Sequence, residues 1–270
     1  MTRASWDQRI ARAETLAERH PFAAEVLRFY KELACFQKTL YASPKARAVY
    51  AVNRGAGAPP DRPDLPFLLS KFSPLLRLAT KVGPAPLARF ASELEQETDE
   101  KRADLLVTFW KADHDAEAGF DPGCSFFARA LLQPYAEYVA ESGATEAGNA
   151  GLSTCPFCRR RPVVAVLRPE GEGGKRSLVC SLCATEWGYR RVVCPACGEE
   201  NPDQLSVYTA REFGHLRVEA CDTCHTYLKA VDLTKDGFAL PVVDELATTP
   251  LDLWAQGQGY RKLQLNVVGM

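Results

Sequence analysis

The chain has 270 residues, of which 46% are hydrophobic and 25% are charged, and its formal net charge at pH 7 is −1. This composition is ordinary for a globular protein and excludes a strong overall field toward nucleic acid or an anionic membrane. No run of 18 apolar residues is present, so membrane insertion is not expected, and residues 1–22 lack the apolar core of a signal peptide. The expected compartment is the cytoplasm, where ten cysteines indicate metal binding or redox chemistry rather than disulfides.

Apolar residues recur at every third or fourth position through most of residues 1–150, which predicts a helical domain. Ser5 has the side chain of an N-cap, and Pro21 suits the first turn of a second helix. Residues 53–66 are rich in Gly and Pro, which predicts a loop. Pro134 lies inside the last helical pattern, where it predicts a kink or a break.

No catalytic group of side chains stands out in this half, so the chain is not expected to be an enzyme. His20 and His114 are isolated and are predicted to be surface or capping residues. Cys35 falls beside an apolar stripe and is predicted to be a small buried hydrophobic residue. Residues 141–154 are small, polar and contain glycine, which predicts a linker to the second half.

Eight of the ten cysteines form four Cys-x-x-Cys pairs, separated by gaps of 21, 10 and 23 residues. Two long units follow one another, and each opens with a pair, continues with strand-like segments around a turn, and closes with a pair. The second unit opens 39 residues after the first, which predicts a duplicated zinc-ribbon or rubredoxin-like module with one metal in each copy. The expected metal ligands are Cys155, Cys158, Cys180 and Cys183 in site 1, and Cys194, Cys197, Cys221 and Cys224 in site 2.

Other interpretations of the pairs stay open. Interleaved pairing, as in cross-braced fingers, fits the spacing but ignores the repeat. Dithiol redox chemistry normally uses one pair at a helix N-terminus. Four thiolates leave no position for water, which argues against hydrolysis, and they accept zinc or iron. Gly198 follows the third pair as in a rubredoxin knuckle, but Arg159, Ala184 and His225 follow the others, so the motifs do not select the metal.

Side chains near the pairs are candidates for contact with a partner: Trp187, Tyr189, Arg190, Arg191 and Tyr227. For Trp187 and Tyr227 the simpler interpretation is packing over the small core of each module, and a partner contact is the sharper one. Residues 152–232 carry 11 Lys or Arg against 10 Asp or Glu, and each divalent ion held by four thiolates would add about −2. This is the wrong sign for a nucleic-acid footprint, so no nucleic acid is expected as a partner.

The cysteine region resembles the formate dehydrogenase accessory protein family, FdhE. The resemblance rests on CPFCRRRPVV (155–164), LVCSLCATEWGYRRVVCPACG (178–198) and EACDTCHTYLKAVDL (219–233). The stretch ERHPFAAEVLRFYKELACFQ (18–37) is similar to the family's helical opening, and DELATTPLDLWAQGQGYRK (244–262) is similar to its tail. Residues 53–150 carry the least specific resemblance.

The resemblance implies a cytoplasmic, non-enzymatic protein that binds the catalytic subunit of a respiratory formate dehydrogenase. Such a protein would assist maturation of that subunit before export by the twin-arginine route. The resemblance also implies rubredoxin-like iron sites on the eight paired cysteines, with zinc as the alternative metal. The rival hypotheses are a rubredoxin-type iron electron-transfer protein and a nucleic-acid-binding zinc ribbon. The sequence leaves open whether the chain forms a homodimer.

The predicted fold class is α+β, with an N-terminal all-α helical domain followed by two tandem rubredoxin-like or zinc-ribbon modules. The predicted domains are a helical domain at 1–150, a first module at 151–192 and a second module at 193–233. The remaining residues, 234–270, are predicted to form a tail that packs on the modules or on the helical domain.

Overall fold

The structure is a computed structural model that describes residues 4–43, 60–112, 119–142, 151–170 and 173–270. Helices fill the N-terminal part and strands dominate the cysteine region, which confirms the predicted α+β class. His114, residues 53–59 of the predicted loop and residues 143–150 of the predicted linker lie outside the described residues. The helices described before residue 143 are α1 (Trp6–Arg19), α2 (Ala24–Tyr41), α3 (Leu65–Val82), α4 (Ala85–Glu95), α5 (Asp99–Lys111) and α6 (Pro122–Ser142).

The first two helices begin close to where the sequence predicts. The Gln8 backbone N–H donates to Ser5 Oγ at 3.2 Å, and the Ser5 backbone N–H donates to Gln8 Oε1 at 2.8 Å, which completes a capping box. Pro21 opens one turn of 3-10 helix, and α2 follows directly. The predicted break at Pro134 is absent, because α6 continues through it. Almost all of the second half of α6 is buried, so packing outweighs the lost backbone hydrogen bond.

A buried ion pair fastens α1 to α6. Both Nη groups of Arg9 donate to the Glu137 carboxylate, at 2.8 and 2.9 Å, and both side chains are 1% exposed. The Arg9 guanidinium also lies 4.4 Å from the centre of the Trp6 ring. Bidentate geometry offsets the desolvation cost of two buried charges, and removing either partner would leave the other charge uncompensated. The pair therefore fixes how the first helix packs on the bundle.

The cysteine region forms a single sheet. Its strands run in the order β3-β2-β1-β6-β5-β4, and β7 pairs with one end of β6. Each module contributes an antiparallel hairpin, and the two hairpins join where β1 and β6 pair in parallel, with Ala165 opposite Ala230. The strands are β1 (Pro162–Glu170), β2 (Gly173–Cys180), β3 (Glu186–Gly188), β4 (Leu205–Thr209), β5 (Leu216–Cys221), β6 (Thr226–Asp232) and β7 (Arg261–Lys262).

The C-terminal segment covers one face of this sheet with α7 (Pro241–Asp244), a 3-10 turn (Leu246–Thr248) and α8 (Thr249–Gly257). Apolar residues of β5 and β6 share a buried cluster with Leu251 and Ala255 of α8. This segment is the predicted tail, and it also contacts α1 and α2 through α7 and the 3-10 turn. Among the described residues, no helix combines the length and the apolar character that crossing a membrane requires.

Two lysines and two carboxylates lie together beneath the C-terminal segment. The Lys229 Nζ lies 2.6 Å from Asp252 Oδ2 and 3.0 Å from Glu245 Oε1, and its side chain is fully buried. Lys262 binds the same two carboxylates, and Asn266 Nδ2 donates to Glu245 Oε2 at 2.9 Å. The charges balance and the polar atoms find partners, which is what a buried ionic network needs to be tolerated. It ties the last residues of the chain to β6.

Candidate metal centres

The first cysteine group forms where the β1–β2 hairpin brings two turns together. Cys155 and Cys158 lie in the turn before β1, Cys180 ends β2, and Cys183 lies in the turn before β3. The Sγ–Sγ distances are 3.5 Å from Cys155 to Cys183, 3.3 Å from Cys158 to Cys180 and 3.5 Å from Cys158 to Cys183. Cys158 is partly buried, the other three are buried, and they belong to the same apolar core as the helices.

The second group forms in the same way at the end of the β4–β5 hairpin. Cys194 and Cys197 lie in the turn between β3 and β4, Cys221 ends β5, and Cys224 lies in the turn before β6. Sγ atoms are 3.8 Å apart between Cys194 and Cys224, and 3.7 Å apart between Cys197 and Cys221. Cys197 is exposed. The structure thus groups the cysteines in the sequential sets, not in the interleaved ones.

All four Cys-x-x-Cys turns share one feature of backbone conformation. The residue after the second cysteine of each pair has a positive φ: 61° at Arg159, 50° at Ala184, 80° at Gly198 and 52° at His225. Backbone N–H groups also reach sulfur, from Leu182 to Cys180 at 3.4 Å and from Ala196 to Cys194 at 3.3 Å. The turn therefore does not depend on glycine, although adopting it costs a residue with a Cβ roughly 1–2 kcal/mol. The single Gly198 carries no information about the metal.

The two groups fit a tetrahedral metal ion. With a metal–sulfur bond of about 2.3 Å, the sulfurs of such a site lie about 3.8 Å apart. The second group matches this spacing at 3.7 and 3.8 Å, and the first is slightly tighter at 3.3 to 3.5 Å. Four thiolates suit zinc or iron and close the coordination shell. Hydrogen bonds with neighbouring thiols lower the pKa of Cys155, whereas burial raises the pKa of Cys158 and Cys180. A metal ion must displace protons from this group, so its affinity falls as the pH falls.

A third group of possible ligands, His215, Asp236 and Asp244, is already paired. Arg12 of α1 donates to Asp244 at 2.9 Å and to Asp236 at 3.1 Å, and His215 Nε2 lies 2.8 Å from Asp244 Oδ1. Burial would raise the pKa of Asp244, but the hydrogen bonds from His215 and Arg12 outweigh it and hold the pKa low. A guanidinium among the carboxylates disfavours a cation. This group fastens α1 to the sheet.

The purified protein should therefore contain about two metal ions per chain, as expected for two closed sites of four cysteines each. Elemental analysis by plasma mass spectrometry, with protein concentration from amino-acid analysis, measures this ratio. The variant Asp236→Asn is the matched control. It should also contain about two ions, because the Asp236 carboxylate of the wild type pairs with Arg12 and not with a metal. A ratio near one would contradict two sites, and a ratio near three that falls in the control would assign a metal to the third group.

The residues predicted to contact a partner divide into two kinds. Trp187, Tyr189 and Tyr227 are buried: Trp187 Nε1 donates to the Leu152 carbonyl at 2.8 Å and the Tyr227 hydroxyl to Asp252 at 2.8 Å. The rings of Trp187 and Tyr189 pack in the core shared with the helices, and that of Tyr227 packs in the cluster shared with α8. Arg190 and Arg191 are exposed, and Arg190 pairs with Glu200 at 2.6 Å. A contact of these residues with a partner stays a prediction, and only the two arginines have side chains open to one.

Sequence reasoning missed the residues that join the cysteine region to its surroundings. Arg160 is buried, its guanidinium lies 4.7 Å from the centre of the Phe109 ring, and its Nη2 donates to the Phe109 carbonyl. Arg176 of β2 donates to Glu219 of β5 at 2.7 Å and so links the two hairpins. The sequence gives little indication that these arginines are buried, because a charged residue in a strand pattern is usually exposed.

Comparisons with known proteins agree with this architecture. The model of the FdhE central domain matches residues 154–191, and the model of the FdhE C-terminal domain matches residues 192–268. Both models describe FdhE domains, so the cysteine region and the C-terminal segment are similar to that family. An FdhE homolog of Aquifex aeolicus is 28% identical over 96% of this chain and 93% of its own length. One of Pseudomonas putida is 29% identical over 97% of this chain and 86% of its own length.

The fold is also shared with a solved FdhE structure. The crystal structure of the FdhE protein from Pseudomonas aeruginosa superposes with a TM-score of 0.71 at 26% identity, covering 99% of this chain and 97% of that one. The likeness to the FdhE family therefore includes the helical part, which the two family models do not reach.

Proposed function

We propose that this chain is a member of the FdhE family and a non-enzymatic accessory protein that binds the catalytic subunit of a respiratory formate dehydrogenase in the cytoplasm and assists its maturation before export. The observation that carries the proposal is the likeness to FdhE proteins over nearly the whole chain. The closed cysteine groups add support, because four thiolates leave no coordination position for a substrate. The identity of the partner is inferred from the family resemblance.

Each cysteine group would hold one metal ion, with iron favoured by the family resemblance and zinc as the alternative. The ligands would be Cys155, Cys158, Cys180 and Cys183 in the first module, and Cys194, Cys197, Cys221 and Cys224 in the second. When bound, the ion supplies a rigid cross-link between the knuckles and, if it is iron, a one-electron couple. The protein residues around it hold the sheet in the shape that a partner recognises.

Affinity purification from cells that express formate dehydrogenase tests the proposal. The catalytic subunit should co-purify with the wild type, and much less with Cys180→Ala/Cys183→Ala. The matched control is Cys35→Ala/Cys124→Ala, which removes two cysteines that lie outside both groups and should retain the subunit. A wild-type protein that never retains the catalytic subunit would rule out the accessory role.

A second candidate function is electron transfer through the second cysteine group. The exposed Cys197 favours it, because a redox partner could approach that sulfur directly. An iron-loaded protein that bleaches reversibly on reduction and passes electrons to a dehydrogenase would support this function. Zinc in protein purified under metal-limited, anaerobic conditions with iron supplied would exclude it.

A further inference from the structure

A cavity of about 250 Å³ lies between the second module and residues 191–193, which join the two modules. Its floor is the face of β4, β5 and β6 that carries Val207, Glu219 and Leu228, which stand opposite one another in register. The other face of these strands carries Tyr227 and Lys229, which contact the C-terminal segment. The cavity therefore opens on the side of the sheet opposite α8, and Leu263 near the end of the chain also lines it.

The cavity is basic at one end. Arg176 and Arg217 line it and share one carboxylate, that of Glu219, at 2.7 and 2.5 Å. Arg176 also donates to the Arg190 carbonyl at 2.9 Å, which brings the lining residue Arg191 next to this pair. Among the residues that the structure describes, Arg191 makes no ion pair. Three guanidinium groups against one carboxylate leave this end with a charge suited to an anion.

The cysteine group lies at the opposite end of the cavity, where Cys194 and Cys221 line it. Arg217 and Cys221 are four residues apart on β5, which in an extended strand is about 13 Å. Both cysteines are buried, so salt screens their charge little, and it is distance that weakens their attraction to Arg217.

The rim of the cavity offers backbone and apolar surface. β4 pairs with β5 on one side, and within the described part of the chain no strand pairs with its other side. Two valines at the rim, Val207 of β4 and Val192, are about half exposed, at 53% and 46%. An unpaired strand edge is a template for an added strand.

We infer that this cavity is a docking site for an extended peptide of the client protein that carries an apolar side chain and, two residues away, a carboxylate. The peptide adds to β4 and places its apolar side chain beside Val207, and the carboxylate, on the same face, reaches Arg191 and Arg217. The volume favours a side chain or two, since small-molecule sites usually occupy about 300–1,000 Å³. The inference rests on the proposed function only in taking the peptide from formate dehydrogenase.

A synthetic probe tests the site without the enzyme. The peptide Thr-Thr-Glu-Thr-Leu-Thr-Glu-Thr-Thr places a carboxylate two residues from leucine in both directions, so strand polarity does not matter. Titration into the metal-loaded, nitrogen-15-labelled protein should shift amide signals in residues 191–196 and 205–209. The lysine analogue, Thr-Thr-Lys-Thr-Leu-Thr-Lys-Thr-Thr, should bind at least tenfold more weakly. Shifts that lie elsewhere, or equal affinity for both peptides, would overturn the inference.

Two variants and one control separate the site from general charge effects. Val207→Glu should block binding because its carboxylate repels those of the peptide, and Arg191→Gln should weaken binding at least fivefold because a charge-assisted hydrogen bond is lost. The matched control Arg211→Gln removes an exposed charge of the same module that does not line the cavity, and it should leave the affinity unchanged. Equal losses in both glutamine variants would contradict a specific site. A dimer that Val207→Glu converts to monomer would assign this face to a second copy of the chain and overturn the peptide proposal.

The same variants distinguish failure of the site from failure of the function. In the affinity purification, Val207→Glu should retain much less catalytic subunit than Arg211→Gln. Full retention by Val207→Glu would overturn the docking site and leave the accessory role standing. Absence of the subunit from the wild type would refute the accessory role, and the peptide titration would still decide whether the cavity binds this chemistry.

Discussion

The double variant Cys180→Ser/Cys183→Ser should leave the whole cysteine region unfolded at 37 °C. Metal binding contributes roughly 10–16 kcal/mol in structural zinc sites, which is as large as the total stability of a typical domain. Both cysteines are buried in the core that the modules share with the helices. The near-ultraviolet circular dichroism of the buried Trp187 should be lost, and the metal content should fall from about two ions to at most one.

The matched variant at the second group, Cys197→Ser/Cys224→Ser, should lose one ion and keep the Trp187 signal. Cys197 is exposed and Cys224 is only partly buried, so this group lies at the edge of the sheet and not in the shared core. Limited proteolysis should then cut only within the second module. Equal loss of the Trp187 signal in both variants would show that the modules fold only as one unit, and no loss in either would show that the metals are not structural.

Replacing Lys229 by Met should destabilise the protein by about 3–5 kcal/mol, the cost of breaking a buried ion pair from one side. The change leaves two buried carboxylates, those of Glu245 and Asp252, paired with one buried cation, Lys262. Urea unfolding followed by circular dichroism measures the loss. The double variant Lys229→Met/Asp252→Asn should recover much of it, because one positive and one negative charge are then removed together. A double variant no more stable than the single one would contradict this account.

Titration of Glu245 should not make this loss depend on pH between 6 and 8. Burial would raise the pKa of Glu245, but attraction to Lys229 and Lys262 outweighs it and lowers the pKa to about 2. A depressed carboxyl pKa stabilises the folded state above the unfolded value, about 4.3, and the stabilisation is lost as the pH falls toward 2. The carboxylate is therefore fully ionised across the tested range. A loss that changes by more than about 1 kcal/mol from pH 6 to 8 would point to Lys229 itself, because burial lowers the pKa of its ammonium group.

The sequence predicted the cysteine groups well because their constraint is local and repeated. Each Cys-x-x-Cys turn closes on itself, and the offset of 39 residues between the units indicates which turns meet. The same pattern did not predict that the two modules share one sheet. That depends on the pairing of β1 with β6, and β6 carries Lys229 at its centre, which breaks an apolar strand pattern.

The buried ion pairs could not be predicted from the sequence for a related reason. Arg9, Arg176 and Lys229 look like surface residues, because charged residues in amphipathic patterns usually face solvent. Each is buried in the fold, and each finds a carboxylate far along the chain: Arg9 in Glu137, Arg176 in Glu219, and Lys229 in Asp252. Such pairs are fixed by tertiary packing, which local patterns do not encode. Of the kink or break predicted at Pro134, the break does not occur, because packing keeps α6 continuous.

The parallel pairing of β1 with β6 has a consequence for synthesis. β1 leaves the ribosome with the first module, whereas its neighbour β6 is the last strand of the second. Contacts between distant residues form late and slow down folding. Until they form, the first hairpin exposes an apolar strand edge, which can pair with another nascent chain. A fragment that ends after residue 192 would leave the edge of β1 unpaired and should aggregate. The second module therefore protects the first from aggregation by pairing with that edge.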